Sequence, residues 1–449
     1  MMKKFRNIFM LLLITSFLSS CADEFIETEP TTALDAGSLI TDLATAQAAV
    51  NGLYDRFQQD YIAGGYNAYM PGLFSDELRH SGSFPSLAEF GANDISLNNV
   101  NNTSFWTDHY ETINAANIII DKLEVVEIDA DAAARFDAQA KAVRAYLYFN
   151  LVRLYGGVPL SLTGNLSANE IDANPLPRAS VTEVYTQILS DLDDALAGIT
   201  TSGNIFFFNE NAVRVLKAKV EMTRGMYAQA EATLEPVIGD KTLAGNYADL
   251  FTGTANTQEA ILAIDYADFD GNGYAFFYLR AGGRYEVAPS AQLLGAFEEG
   301  DSRTSQIRAF GTEAAKQVGK FKDPGSGSDD AYIYRYADAL LMYAELLARR
   351  DDPTASDFIN MVRNRAGLED VVLTSANVVE LIAQERFVEF FGENGDRLYT
   401  LKRLGLADEV LSAKPNSTFI AARNNLWPIP QQEIERNSAI SETDQNPGY

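Results

Sequence analysis

The chain has 449 residues, 47% of them hydrophobic, which is ordinary for a globular protein and leaves room for a large buried core. Its 62 acidic against 35 basic residues give a net charge of −27, which disfavours nucleic acid and polyanions and suits a neutral or cationic partner unless a local basic patch overrides the mean. A single cysteine excludes a disulfide framework, and two histidines, His80 and His109, leave little for a histidine-based catalytic site or a transition-metal centre.

The first element is a leader. Lys3, Lys4 and Arg6 precede an apolar run from Ile8 to Leu18, too short to span a bilayer. Leu18-Ser19-Ser20-Cys21 looks like a bacterial lipobox. It assigns residues 1–20 to a lipoprotein signal peptide and makes Cys21 the lipidated N-terminus, anchored to the membrane without spanning it. The following "ADEF", with Asp23 and Glu24, resembles the surface-export signal of Bacteroidetes lipoproteins.

Helical patterns follow. "LATAQAAVNGLYDRF" and "FWTDHYETINAANIIIDKL" read as an early helical pair. In "FDAQAKAVRAYLYFNLVRLYGGVPL", Phe136, Ala140, Val143, Leu147, Leu151 and Leu154 recur at helical spacing, with Gly156 as the stop and Pro159 preventing resumption. "VTEVYTQILSDLDDAL" carries a stripe of Val184, Ile188, Leu192 and Leu196, with Ser180 as its cap. "NENAVRVLKAKVEMTRGMYAQAEATLEPVI" reads as two helices joined at Arg224-Gly225. Its G-x-Y-x-x-A segment matches a tetratricopeptide hairpin, in which Gly and Ala allow close packing. Two more pairs are expected from "YIYRYADALLMYAELLAR" with "PTASDFINMVRNRAG", and in "VVELIAQERFVEFFGENGDRLYTLKRLG". No clean repeat period is present. The expectation is one continuous domain over 21–449, mainly α, with long loop insertions near 59–104, 159–178 and 241–330. The third insertion is expected to hold a strand, "EAILAIDYAD", and a flexible "DPGSGSDD".

Several groups are candidates for chemistry. Glu385 and Glu389 share a helix face and form a conceivable paired-carboxylate site, but Arg386, Glu393 and Arg397 beside them favour an ion-pair network. Arg335 with Asp338, and Arg363 with Arg365, read the same way. Asp268, Asp270 and Asn272 resemble the start of a calcium loop, yet the twelfth position is Leu279, so the stretch reads mainly as a hairpin turn and calcium is a minority option. Tyr274, Phe276, Phe277 and Tyr278 are bracketed by Gly271, Gly273, Gly282 and Gly283, which favours an exposed loop whose rings stack on sugars, with Arg280 and Arg284 as donors. A second candidate set is Tyr66, Tyr69, Arg79, His80 and Phe84. Trp106 and Trp427 are assigned to the core. No G-x-S-x-G, P-loop or H-E-x-x-H is present.

Taken in order, "CADEFIETEP", "FWTDHYETINAANIII", "AVRAYLYFNLVRLYGGVPL", "AVRVLKAKVEMTRGMYAQAEATLEPVI", "YEVAPSAQLLGAFEEGDSRTSQI", "YIYRYADALLMYAELLARR", "INMVRNRAGL", "AQERFVEFFGENGDRLYTLKR" and "LWPIPQQEIERNSAISETDQNPGY" resemble the SusD/RagB family of nutrient-uptake lipoproteins over nearly the whole chain. The resemblance implies about four tetratricopeptide-like hairpins in a right-handed superhelical scaffold, with a loop-rich face and a few short strands. It implies a non-enzymatic, lipid-anchored outer-membrane protein at the cell surface. Such a protein captures an oligo- or polysaccharide for a SusC-like TonB-dependent transporter; the net charge points to a neutral one, and no cofactor is expected. The alternative is RagB-like capture of peptide or glycoprotein-derived ligand, and a glycoside hydrolase ranks third. One departure stands out: Tyr399 occupies a position where the family usually has Asp.

Overall fold

The computed structural model describes residues 40–165, 167–199, 203–310 and 312–449; Cys21, Asp23 and Glu24 lie outside the described residues. The scaffold helices in chain order are α1 (Leu43–Phe57), α2 (Gly65–Phe74), α3 (Pro85–Ala92), α4 (Val100–Leu123), α5 (Ala130–Tyr155), α6 (Val181–Gly198), α7 (Glu210–Thr223) and α8 (Tyr227–Leu234). After the short α9 (Tyr274–Tyr278) come α10 (Tyr336–Arg349), α11 (Ala355–Arg365), α12 (Val378–Glu389) and α13 (Asp396–Leu404). Neighbours pack in pairs: α1 on α4, α5 on α6, α7 on α8, α10 on α11 and α12 on α13. These are the hairpins expected from the periodicity, and the fold is mainly helical and tetratricopeptide-like.

Helix α5 shows why the pattern folds this way. Phe136, Ala140, Val143, Leu147, Leu151 and Leu154 are all buried. Asp129 caps its start by accepting from the Ala132 N–H, and Gly156 ends it at φ +76°, a left-handed conformation that glycine adopts without a Cβ clash. Ser180 and Glu183 form a capping box at the start of α6. Arg144 then locks α4, α5 and α6 together, with Nε and Nη2 at 2.8 and 2.7 Å from Asp191 and Nη1 at 2.8 Å from Asn117. At the α7–α8 junction Gly225 has φ +72° and open space around it. The turn conformation requires it, not the close helix packing the motif implied.

Among the described residues six short strands pair in three antiparallel ladders: β1 (Leu78–His80) with β3 (Val287–Pro289), β2 (Ala260–Ile264) with β6 (Ala331–Arg335), and β4 (Ile307–Phe310) with β5 (Thr312–Val318). The stretches read as long loops therefore contain short elements. The segment "DPGSGSDD" was expected to be flexible but is pinned. Asp323 accepts from the Gly325 and Ser326 N–H groups, and Asp329 accepts from the N–H groups of Lys322 and Asp323. Among the described residues no helix is long and apolar enough to cross a membrane.

The ion-pair network expected around α12 is present and buried. Arg335 Nη1 lies 2.8 Å from both Glu259 and Glu389, and its Nε lies 2.9 Å from Glu393. Arg303 bridges Asp301 and Glu385, and Lys320 reaches Glu393 at 2.6 Å. Asp338 pairs with Lys219 and Arg386 rather than with Arg335, because those two cations face it from α7 and α12.

Candidate functional site

The β1–β3 ladder pairs Arg79 with Ala288 and His80 with Val287. It thereby joins the two candidate stretches, more than 200 positions apart in the chain, into one surface. The β4–β5 pair borders it: the Arg280 N–H donates to the Gln317 side chain at 2.8 Å, and the Tyr285 hydroxyl donates to the Lys316 carbonyl at 2.9 Å.

The aromatic candidates divide sharply. The segment 274–278 is not an open loop but the single-turn helix α9, and helical spacing turns Tyr274, Phe277 and Tyr278 inward while Phe276 faces out at 37% exposure. Tyr274 stacks on Phe321 at 4.0 Å; Tyr278 meets Tyr69 edge-on at 5.0 Å. Phe277 is inserted among Tyr66, Tyr69 and Phe84 at 5.4, 5.4 and 6.0 Å. Tyr69, Tyr274, Phe277 and Tyr278 thus form an aromatic core under the surface and cannot stack on a ligand in this conformation. Burial holds the three phenols well above their ordinary range, so they stay neutral. The bracketing glycines permit contact rather than exposure: a Cβ at Gly271 would meet the Ser326 carbonyl, and one at Gly283 the carbonyls of Phe276 and Leu279.

What remains at the surface is an aromatic arc with guanidinium groups. Phe276 is exposed, Phe84 and Tyr66 are half-buried, and Tyr66 stacks on Tyr61 at 4.4 Å. Phe310 on β4, 42% exposed, extends the arc; the sequence reading missed it. Its only signal was a lone aromatic before Gly311 in the run "IRAF". The Arg284 guanidinium lies 4.2 Å over the Phe84 ring, and that of Arg280 lies 5.8 Å from Phe310 and 5.9 Å from Tyr285. Arg79 donates to the Tyr285 hydroxyl at 3.3 Å.

Tyr285 was also missed, and it organises this surface. Its φ is +55°, unfavourable for an aromatic side chain. The conformation is held at three points: its N–H donates to Leu279, its carbonyl accepts from the Ser81 hydroxyl, and its own hydroxyl reaches Lys316. Glu286 beside it accepts from the N–H groups of Ser83 and Phe84 at 2.6 and 2.9 Å and pairs with Arg284 at 3.3 Å. Burial pushes its carboxyl up, but these donors outweigh burial and leave it below the usual range. His80 faces the same carboxylate at 3.5 Å, a structural contact rather than an exposed ligand group.

The other candidates have structural partners. Asp270 accepts from Gln58 and from the Ala267 N–H. The Asn272 amide donates to Gly327 and Asp329, while its carbonyl oxygen accepts from Tyr274. Asp268 is exposed on the same turn, which leads into α9 instead of closing a hairpin. Glu385 and Glu389 have side chains only 2% and 0% exposed, and arginines occupy both carboxylates. Trp106 is core, with its indole N–H on Glu433, and Trp427 is fully buried. His109 is buried against Phe105, and burial pushes its imidazole down to about 3. Tyr399 receives the Arg153 guanidinium over its ring at 3.5 Å, so a cation–π contact stands where the family's usual residue would offer a carboxylate.

Helical hairpins that hold a rigid, partly exposed aromatic surface on short strands define a tetratricopeptide-like scaffold protein with a loop-built face. Residues 300–449 match the family described as the SusD family, and residues 24–221 match one described as "starch-binding associating with outer membrane". The SusD-like protein P2 of Formosa agariphila is 27% identical over the whole length of both chains. A solved laminarin-binding SusD-like protein superposes with a TM-score of 0.79 at 26% identity, covering 91% of this chain and 100% of that one. Surface glycan-binding protein A of Bacteroides thetaiotaomicron, solved with laminarihexaose, shares the fold with a TM-score of 0.75 at 20% identity, covering 90% and 100%. The chain belongs to the SusD-like family.

Proposed function

We propose that the protein is a cell-surface glycan-binding lipoprotein. Through Cys21 it is anchored to the outer membrane, and it delivers captured oligosaccharide to a SusC-like TonB-dependent transporter without cleaving it. The observation that carries this reading is the arc of exposed Phe276 and Phe310 with half-buried Phe84, held on a fixed framework. Flat apolar rings suit the C–H faces of sugars, and neighbouring guanidinium and hydroxyl groups suit their oxygens. The laminarin-binding relative supports the same ligand class. The inaccessible Glu385 and Glu389 remove the one paired-carboxylate candidate in the sequence, which favours capture over hydrolysis.

Incubation with labelled oligosaccharides tests this. Retention of intact sugar, lost in Phe276→Ala or Phe310→Ala, is the expected result. Shortened products would show a hydrolase, and retention of peptide alone would establish the RagB-like alternative.

A further inference from the structure

In a chain with 62 acidic residues, arginines readily meet carboxylates. Arg303, Arg335, Arg363, Arg365, Arg386 and Arg397 all do. Elsewhere Arg153 and Arg224 meet rings and Arg178 meets carbonyls instead, and on the aromatic surface two exposed arginines likewise have no carboxylate. No carboxylate among the described residues lies within 4 Å of a guanidinium nitrogen of Arg79 or Arg280, although both are exposed. Arg284, also exposed, has Glu286 as its partner, and that carboxylate is only 2% exposed and turned inward onto two backbone N–H groups. Among the described residues, Arg79, Arg280 and Arg284 are thus exposed on this face while the Glu286 carboxylate beside them is covered.

These groups are placed, not adrift. Arg79 is fixed to the Tyr285 hydroxyl, Arg280 lies between the rings of Tyr285 and Phe310, and Arg284 covers Phe84. Arg284 spends its Nε and Nη2 donors on Glu286 and Ser83, whereas Arg79 donates one N–H to Tyr285 and Arg280 meets only rings through its guanidinium, so both keep N–H groups without a carboxylate. Guanidinium N–H groups match the oxygens of a carboxylate or sulfate two at a time. A face meant only for neutral sugars has no need of exposed arginines that lack a carboxylate partner, as Arg79 and Arg280 do.

We propose that this face selects an acidic glycan, one carrying uronate carboxylates or sulfate esters, with Arg79 and Arg280 as the oxyanion contacts; this rests on the reading of the face as a glycan site. The aromatic arc then supplies stacking common to all sugars, and the arginines supply the preference among them. Because the contacts are exposed, binding weakens as salt rises.

The test is titration calorimetry of the full chain against uronate-containing, sulfated and neutral oligosaccharides at low and high salt. The panel includes oligogalacturonate and its methyl-esterified, uncharged form. The expected result is that an acidic member binds more tightly than any neutral one and loses affinity at high salt. Arg79→Gln and Arg280→Gln should each weaken that binding about tenfold without changing the melting temperature. Whether the uronate or the sulfated arm responds identifies the oxyanion. Binding of neutral members alone, or acidic binding untouched by both variants, overturns the proposal while leaving glycan capture in place. If no oligosaccharide of either kind binds, glycan capture itself fails and the proposal fails with it.

Discussion

Tyr274 and Phe276 are two residues apart and have opposite fates. One is 1% exposed inside the aromatic core and the other 37% exposed on the face. Tyr274→Ala should cost about 3–5 kcal/mol of stability, whereas Phe276→Ala should leave stability nearly unchanged and reduce glycan affinity. Chemical denaturation and calorimetry on both variants check this, and equal destabilisation by the two would contradict the assignment. Sequence alone could not sort the four rings, since the eight residues between Gly273 and Gly282 fit a loop, a strand or one helical turn. The glycines were read as a sign of exposure when their task is to let backbones touch.

Glu77 gives a pH signature at the same scale. It is buried, and desolvation raises its carboxyl to about 8, against one stabilising N–H from Gly392. The folded state thus holds a proton that the unfolded state releases at lower pH. Its contribution is complete below about 4.5 and is lost as pH rises through about 8. The parent should accordingly be more stable relative to Glu77→Gln at pH near 5 than at pH near 8. Melting curves at the two pH values would show a constant gap if this carboxyl titrates normally.

At the scale of elements, the helices were the legible part. Periodicity, Ser180 and Gly156 marked α5 and α6 because these signals are local and repeat along the chain. Leu147 and Leu151 are both fully buried on α5. Either one changed to Ala should lower stability by about 2–5 kcal/mol, read from the shift in denaturation midpoint. No measurable shift would mean that α5 does not carry the core. The ladders were less legible. A three-residue strand such as β1 has no period to detect, and its partner lies far away in the chain. Arg335 was matched to the wrong acid for a similar reason. Helical spacing points to Asp338, but Glu259, Glu389 and Glu393 converge on it through tertiary contacts that no local pattern encodes.

For the molecule as a whole, anchoring is the most direct test of placement in the cell. Cys21→Ala should release the protein from the outer-membrane fraction. If the variant fractionates with the membrane as the parent does, the lipid anchor is wrong. The net charge of −27 describes the molecule at a distance but not its aromatic face, where Arg79, Arg280 and Arg284 are exposed. Composition could set the first and had no access to the second.

The β1–β3 ladder also has a kinetic consequence. Residues 78–80 and 287–289 must find each other across more than 200 intervening positions before Arg79 and Tyr285 can meet. Hairpins such as α7–α8 close locally and early, whereas a contact of such sequence separation waits for most of the chain. In refolding experiments, recovery of helical circular dichroism should precede recovery of glycan binding; simultaneous recovery would show that the ladder forms with the scaffold. A chain still emerging from the ribosome, or cut short before residue 290, would already display helices but no complete face, so that ligand capture becomes a property of finished molecules alone.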